Sequence, residues 1–317
     1  MEQASEMAGW LSMRLLMAVL LCAGPGTAPA ADADANSAAT LRAKYDAMGG
    51  RLSRNQFQRP LALDSGETPG GVTGDVYTLV NYPFAQVGTA LNSLDHWCDI
   101  LILHINTKYC RASGAGDTGT LNVSIGKKFD QPLDEAYPMV FAYRLSAQAP
   151  DYLQIRLNAD EGPLSTRNYR IVLEAVPLET GQTFIHLSYS YAYGVAGLIA
   201  MEVYLGTVGK DKVGFTVAGT QHDGRPRYIG GMRGVVERNT MRYYLAVEAF
   251  LGALSEAPGA RFERRLREWF TAVERYPRQL HEMDRGAYLD MKRKEYLRQQ
   301  AELPGGANTL AARGSPD

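Results

Sequence analysis

Cysteine is scarce in this chain. There are three in 317 residues, and one of them, Cys22, lies in an N-terminal apolar run. No Cys-x-x-Cys pair occurs, and no neighbouring motif activates a thiolate. The five histidines, at 96, 104, 186, 222 and 281, form neither a His-Glu-x-x-His pattern nor a cluster with ligand spacing. The sequence therefore implies no metal and no cofactor. A Gly-x-Ser-x-Gly elbow is missing too, which disfavours a serine hydrolase of that type. Gly209, Lys210, Asp211 and Lys212 lack the spacing of a phosphate-binding P-loop. An excess of either charge is also lacking, since the formal net charge is −1. A nucleic-acid binder needs a large positive excess to displace phosphate counterions, so the balance argues against that class while leaving room for a local basic face. Beyond the first 30 residues no apolar run is long enough to be a membrane helix.

What is present begins with a targeting pattern. Arg14 precedes the apolar run Leu15 to Ala23, followed by Gly24, Pro25, Gly26 and the small-residue site Ala28, Pro29, Ala30. A basic start, a short apolar stretch and an Ala-x-Ala site read as a signal peptide cleaved near Ala30. Met13 is the better start of this pattern, because residues 1–12 are acidic. A lipoprotein reading through Cys22 fits poorly with Leu21 before it. Residues 1–30 carry Arg14, Glu2 and Glu6, so removing them leaves 32 basic and 32 acidic residues. The expected location is periplasmic or secreted. There the remaining pair, Cys98 and Cys110, is expected to form a disulfide between a helix end and the next strand.

The rest of the chain alternates in period. A short helix is expected from Ala38 to Met48, stopped by Gly49 and Gly50, and a loop over 64–74. Asp75 to Asn81 reads as a strand. Pro83 opens a helix whose apolar positions Phe84, Val87, Leu91, Leu94, Cys98 and Leu101 share one face. Six strands follow with short turns: His104–Arg111, Thr120–Lys127, Met139–Leu145, Tyr152–Leu157, Thr166–Val176 and Thr183–Tyr193. Such a series is an antiparallel meander with one buried face. A short apolar helix over 195–205 and a hairpin over 212–229, turning at Asp223-Gly224, come next. Met232 to Leu254 reads as a strong helix. Residues 261–300 are helical and charged, with eleven Lys/Arg, seven Asp/Glu and an apolar stripe of Phe262, Leu266, Trp269, Phe270 and Val273. Residues 303–317 read as a disordered tail.

This order of elements resembles the START-like (SRPBCC) helix-grip superfamily. The local match is the strand running into a Pro-started helix: Val76, Tyr77, Thr78, Leu79, Val80, Asn81, Tyr82, Pro83, Phe84, Ala85, Gln86 and Val87. The helix over 232–254 matches the one that grips the sheet. Much of the chain is also similar to a group of exported proteobacterial proteins, which supplies no activity. The resemblance implies an α+β fold: a curved antiparallel sheet gripping a long C-terminal helix, with an extra helical C-terminal arm. It divides the chain into a leader (1–30), a helix and linker (31–74), a START-like domain (75–255), a charged helical extension (256–300) and a tail (301–317). It also implies a cavity between sheet and helix that carries a hydrophobic or lipid-like small molecule. An enzyme on the same fold, a cyclase or hydrolase, is the first alternative. An envelope interaction module with no ligand is the second.

Several constellations bear on that choice. Tyr189, Tyr191 and Tyr193 share a strand face with Leu187, and form either an aromatic wall for an apolar ligand or a ladder packing the helix. With Tyr169, Ile171, Met241 and Leu245 they are the expected ligand-binding set. Arg170 and Glu174 face one side of their strand, about 13 Å apart, and His186 faces away from the tyrosines. These three are the candidate polar participants if the protein is an enzyme; cross-strand ion pairs are the commoner role. On the final helix, Arg233, Glu237, Arg238, Asn239 and Arg242 form either a solvated face or a seat for an anionic head group. The segment 261–300 either packs on the domain or lies on an anionic membrane, with Trp269 and Phe270 as anchors.

Overall fold

The computed structural model describes residues 37–301, apart from 196, 198 and 200–211. The leader and the tail fall outside the described residues, as does most of the helix expected over 195–205.

Eight strands form one antiparallel sheet in the order β1-β2-β8-β7-β6-β5-β4-β3. They are β1 (Leu61–Thr68), β2 (Gly71–Val80), β3 (Thr107–Ala115), β4 (Thr118–Ile125), β5 (Tyr137–Ala149), β6 (Tyr152–Glu161), β7 (Thr166–Pro177) and β8 (Thr183–Tyr193). Helix α1 (Ala38–Ser53) precedes the sheet, and α2 (Phe84–Leu91) and α3 (Leu94–Leu101) cross between β2 and β3. A two-stranded hairpin, β9 (Val217–Thr220) and β10 (Pro226–Tyr228), leads to the long helix α4 (Gly231–Gly252). The arm follows as α5 (Pro258–Val273), α6 (Pro277–Leu280) and α7 (Arg285–Ala301). Helix α4 packs against β2, β1 and β8. A curved antiparallel sheet thus grips the long helix, the arrangement expected from the order of elements.

The six-strand meander stands where the alternation placed it. Three expectations are corrected. The loop over 64–74 is instead a hairpin, in which Leu61 pairs with Thr78 and Thr68 with Gly71. The sheet thus starts at Leu61, and the boundary at 75 falls inside β2. The strand signal was hidden by glycines, one of which, Gly74, serves close approach. A Cβ on Gly74 would stand 2.3 Å from Thr240 Oγ1 of α4. Helix α1 passes through Gly49 and Gly50 to Ser53, because burial of Met48 and Leu52 outweighs the cost of two glycines, about 1 kcal/mol each. The single amphipathic helix is two helices. The carbonyls where α2 ends accept side-chain bonds: Ala90 O with His96 Nδ1 at 2.7 Å, Leu91 O from Trp97 Nε1 at 3.0 Å, and Asn92 O from Tyr143 Oη at 2.9 Å. These partners stabilise the break.

The Cys98–Cys110 disulfide joins α3 to β3 as expected, with Cα atoms 5.2 Å apart. The arm is packed inward. Leu266, Trp269 and Val273 are buried, and Trp269 donates to the Arg242 carbonyl and stacks on Tyr288 at 4.9 Å. Phe270 meets Tyr288 at 5.5 Å. Trp269 therefore has no surface to offer a membrane, and of the two readings of this segment its side chain follows packing on the domain. Helix α7 covers the edge strand β3, where Gln299 Oε1 accepts from the Cys110 N–H at 3.2 Å. Beneath it Lys108, Lys292 and Glu295 are buried together, with Glu295 3.0 Å from Lys108 and 2.7 Å from Lys292. No described helix is long and apolar enough to cross a membrane.

Candidate functional site

Strand alternation sends Tyr169 and Ile171 of β7, and Leu187, Tyr189, Tyr191 and Tyr193 of β8, to the face that holds α4. Met241 and Leu245 meet them from the helix in the same core. All eight residues expected to bind ligand are buried there. Tyr169 stacks on Tyr191 at 5.2 Å, Tyr189 lies 5.7 Å from Tyr191, and Tyr191 lies 6.5 Å from Tyr193. Tyr243 of α4 completes the group at 5.1 Å from Tyr189. The rings thus bridge sheet and helix directly. Where an open cavity was expected, aromatic side chains fill this end of the gap.

The hydroxyls are held separately. Tyr169 shares a hydrogen bond with Thr166 Oγ1 at 2.6 Å, Tyr193 donates to Glu67 at 3.0 Å, and Tyr189 bonds to Asn239. Burial raises the pKa of Tyr189, Tyr191 and Tyr243, so all three stay protonated at neutral pH. Arg238 is buried beside them, and its charge acts on Tyr191. Around this end Leu164, Val195 and Ile199 expose apolar side chains.

The charged residues of α4 are not a solvated face. Glu237 and Arg242 are buried with Arg238 because loops arrive to meet them. Glu237 accepts from the Phe215 and Thr216 N–H groups and from the hydroxyls of Thr216 and Ser65, both at 2.6 Å. Arg233 donates to Ser65 Oγ at 3.0 Å. Gly214 is required there, since a Cβ would stand 2.3 Å from Glu237 Oε2. Arg242 pairs with Glu282 at 2.6 Å, and Lys128 meets the same carboxylate at 2.7 Å.

The three candidate catalytic residues lie on the other side of the sheet. Glu174 and His186 are brought together, Oε2 to Nδ1 at 2.9 Å, while His186 Nε2 meets Asp75 at 2.9 Å. Tyr152 and Gln154 also donate to Glu174, and Tyr77 stacks on the imidazole at 4.4 Å. Burial works to lower the His186 pKa, but hydrogen bonds donated to two carboxylates, Asp75 and Glu174, outweigh it and raise it to about 8. Burial works to raise Glu174, and bonds from His186 and Tyr152 outweigh it and lower it. Both imidazole nitrogens are engaged, so this cluster is a charged clamp beneath α1. Arg170 is exposed on the same face.

Sequence reasoning missed Tyr243, Asp75 and the Lys108–Glu295–Lys292 group. Asp75 was visible as the cross-strand neighbour of Ser188 only once β2 was paired with β8. Tyr243 carried no signal, because α4 is buried on nearly every side and shows no apolar stripe.

No family model and no curated protein matches the chain. Among solved structures it is similar to human StAR-related lipid transfer protein 5, at 11% identity over 53% of this chain and 88% of that one, TM-score 0.30. Norcoclaurine synthase from Thalictrum flavum is similar at 13% identity over 47% and 80%, TM-score 0.31. Ara h 8.0201 is similar at 13% identity over 44% and 92%, TM-score 0.28. At such distances these likenesses carry no functional weight.

Proposed function

We propose that this protein binds an apolar molecule bearing at least one hydrogen-bonding group, held between β7, β8 and the N-terminal half of α4. One observation carries the reading: four sheet tyrosines, Tyr243 and Arg238 are buried together at one end of the grip. A core that only has to pack is served by aliphatic side chains, and every buried hydroxyl without a partner costs about 1–3 kcal/mol. Tyrosines here supply aromatic walls and polar tips at once. Binding displaces rings that now touch one another, so the ligand replaces tyrosine–tyrosine contacts with its own.

The enzyme reading finds less support. Glu174 and His186 are separated from the tyrosines by the thickness of the sheet and hold each other. The interaction-module reading required an exposed stripe over 261–273, and Leu266, Trp269 and Val273 are buried. The leader pattern supports action outside the cytoplasm.

Native mass spectrometry of the protein purified gently from an envelope fraction tests both points. The expected spectrum shows a chain beginning near residue 31, with a non-covalent apolar adduct. The double variant Tyr189→Leu, Tyr191→Leu keeps the fold and loses the adduct. A wild-type protein at its bare mass, unstabilised by any extracted lipid, sinks the binding proposal; an uncleaved leader sinks the location.

A further inference from the structure

The outer face of the sheet, opposite α4, is only partly covered. Helix α1 packs over Tyr152, Val176, Phe184 and Tyr77 at one end of the strands. Beyond it the face carries three arginines on adjacent strands. The β5–β6 register sets Arg144 directly opposite Arg156. The β6–β7 register sets Arg156 opposite Val172 and Asn158 opposite Arg170, so Arg170 is diagonal to Arg156. Directly opposed side chains start about 5 Å apart and diagonal ones about 7–8 Å apart. Like charges so placed destabilise a sheet unless something neutralises them.

No described carboxylate forms an ion pair with any of the three. Arg144 and Arg170 have no ion-pair partner among the described residues, and Arg156 donates to the neutral Gln154 at 2.9 Å. Of the nearby acids, Glu174 and Asp75 are engaged by His186, and Asp160, diagonal to Arg170 on the same face, offsets part of the charge without forming an ion pair. Arg144 and Arg170 are exposed and Arg156 half-buried. Between and beside the guanidinium groups stand short polar side chains. Asn158 and Ser190 both lie opposite or beside Arg170, and Ser188 lies opposite Val172.

We infer that this face binds an anionic polysaccharide, a chain of sugars bearing carboxylates. Guanidinium groups meet carboxylates in bidentate pairs, and three in a row across the strands meet successive acidic units of one polymer. Asn158, Ser188 and Ser190 suit sugar hydroxyls. The triangle offers no aromatic anchor of the kind that concentrates binding energy in a protein interface. It offers no large apolar side chain to insert into a bilayer either. The site is independent of the tyrosine end, with the sheet between them.

The test uses the mature protein and polygalacturonate, with dextran as the neutral control. Affinity electrophoresis at low ionic strength is expected to show retardation by polygalacturonate alone, lost as salt is raised. The triple variant R144Q/R156Q/R170Q is expected to bind about tenfold or more weakly, with a Tm equal to or above that of the wild type. That thermal result separates lost contacts from lost fold. Equal retardation by dextran, or an unchanged affinity in the triple variant, overturns the inference. Binding to phosphatidylglycerol vesicles without binding to polygalacturonate overturns it as well.

Discussion

His186 and His104 set opposite slopes on stability against pH. His186 holds its proton to about pH 8 in the folded chain, against 6.5 for a free imidazole. Its contribution is therefore complete below 6.5 and is lost as the pH rises from 6.5 through 8, amounting to about 2 kcal/mol. His104 is fully buried, and burial together with Arg242 pushes its pKa well below 6.5. The unfolded chain takes up that proton first, so acidification below 6.5 destabilises. Lys292, lowered to about 8 by burial against the pull of Glu295, adds stability again as the pH rises above 8. Urea unfolding is expected to show a maximum near pH 6.5 and a dip near pH 8. The variant His186→Gln is expected to lose the fall between them. A profile that stays flat from 6.5 to 8 in the wild type contradicts the clamp. A second residue-scale expectation concerns Glu237, whose four hydrogen bonds all come from donors. The variant Glu237→Gln turns a donor toward donors and is expected to cost about 1–3 kcal/mol in chemical denaturation.

Two contacts between elements are open to similar measurement. Helix α4 crosses β2 at Gly74, and Gly74→Ala drives a methyl into Thr240 Oγ1. The expected loss is about 1–3 kcal/mol, part of which returns in the double variant Gly74→Ala, Thr240→Ala. Additive losses mean that the helix does not approach there. Helix α7 is fastened to β3 by one carboxylate between two buried lysines. Glu295→Gln leaves both ammonium groups buried without a charge partner and is expected to cost about 3–5 kcal/mol, read as a fall in urea midpoint. These same elements show where the sequence was legible. Strands β4 to β8 alternate cleanly because one face is core and the other is solvent or α1. Strand β1 did not, since Ser65 answers to Arg233 and Glu237 of α4, and Glu67 to Tyr193. Glu237, Arg238 and Arg242 read as solvated because charge spacing on a helix does not reveal which loops arrive to bury it. Lys108 and Lys292 were invisible for the same reason.

For the whole molecule, the order of elements sufficed to anticipate a sheet gripping a helix. The tyrosine face followed from period two alone. What period could not supply was whether the gap is open, because that depends on how far α4 stands from β8, and Tyr243 sets that distance from the helix side. The disulfide stabilises the junction of α3 with the edge strand β3. Its loop is short, and reduction is expected to lower unfolding free energy by about 2–3 kcal/mol, measured with and without dithiothreitol.

The pairing of β2 with β8 joins positions more than a hundred residues apart, Gly71 to Ala192 and Val80 to Thr183. Synthesis runs from the amino end, so the first hairpin emerges long before its neighbour exists. Strands β3 to β8 can zip together locally, each beside its predecessor, while β1 and β2 wait with a bare margin. Refolding is expected to be slow and prone to clumping until Tyr193 is in place, and a chain that stops short of it has no way to shelter that margin.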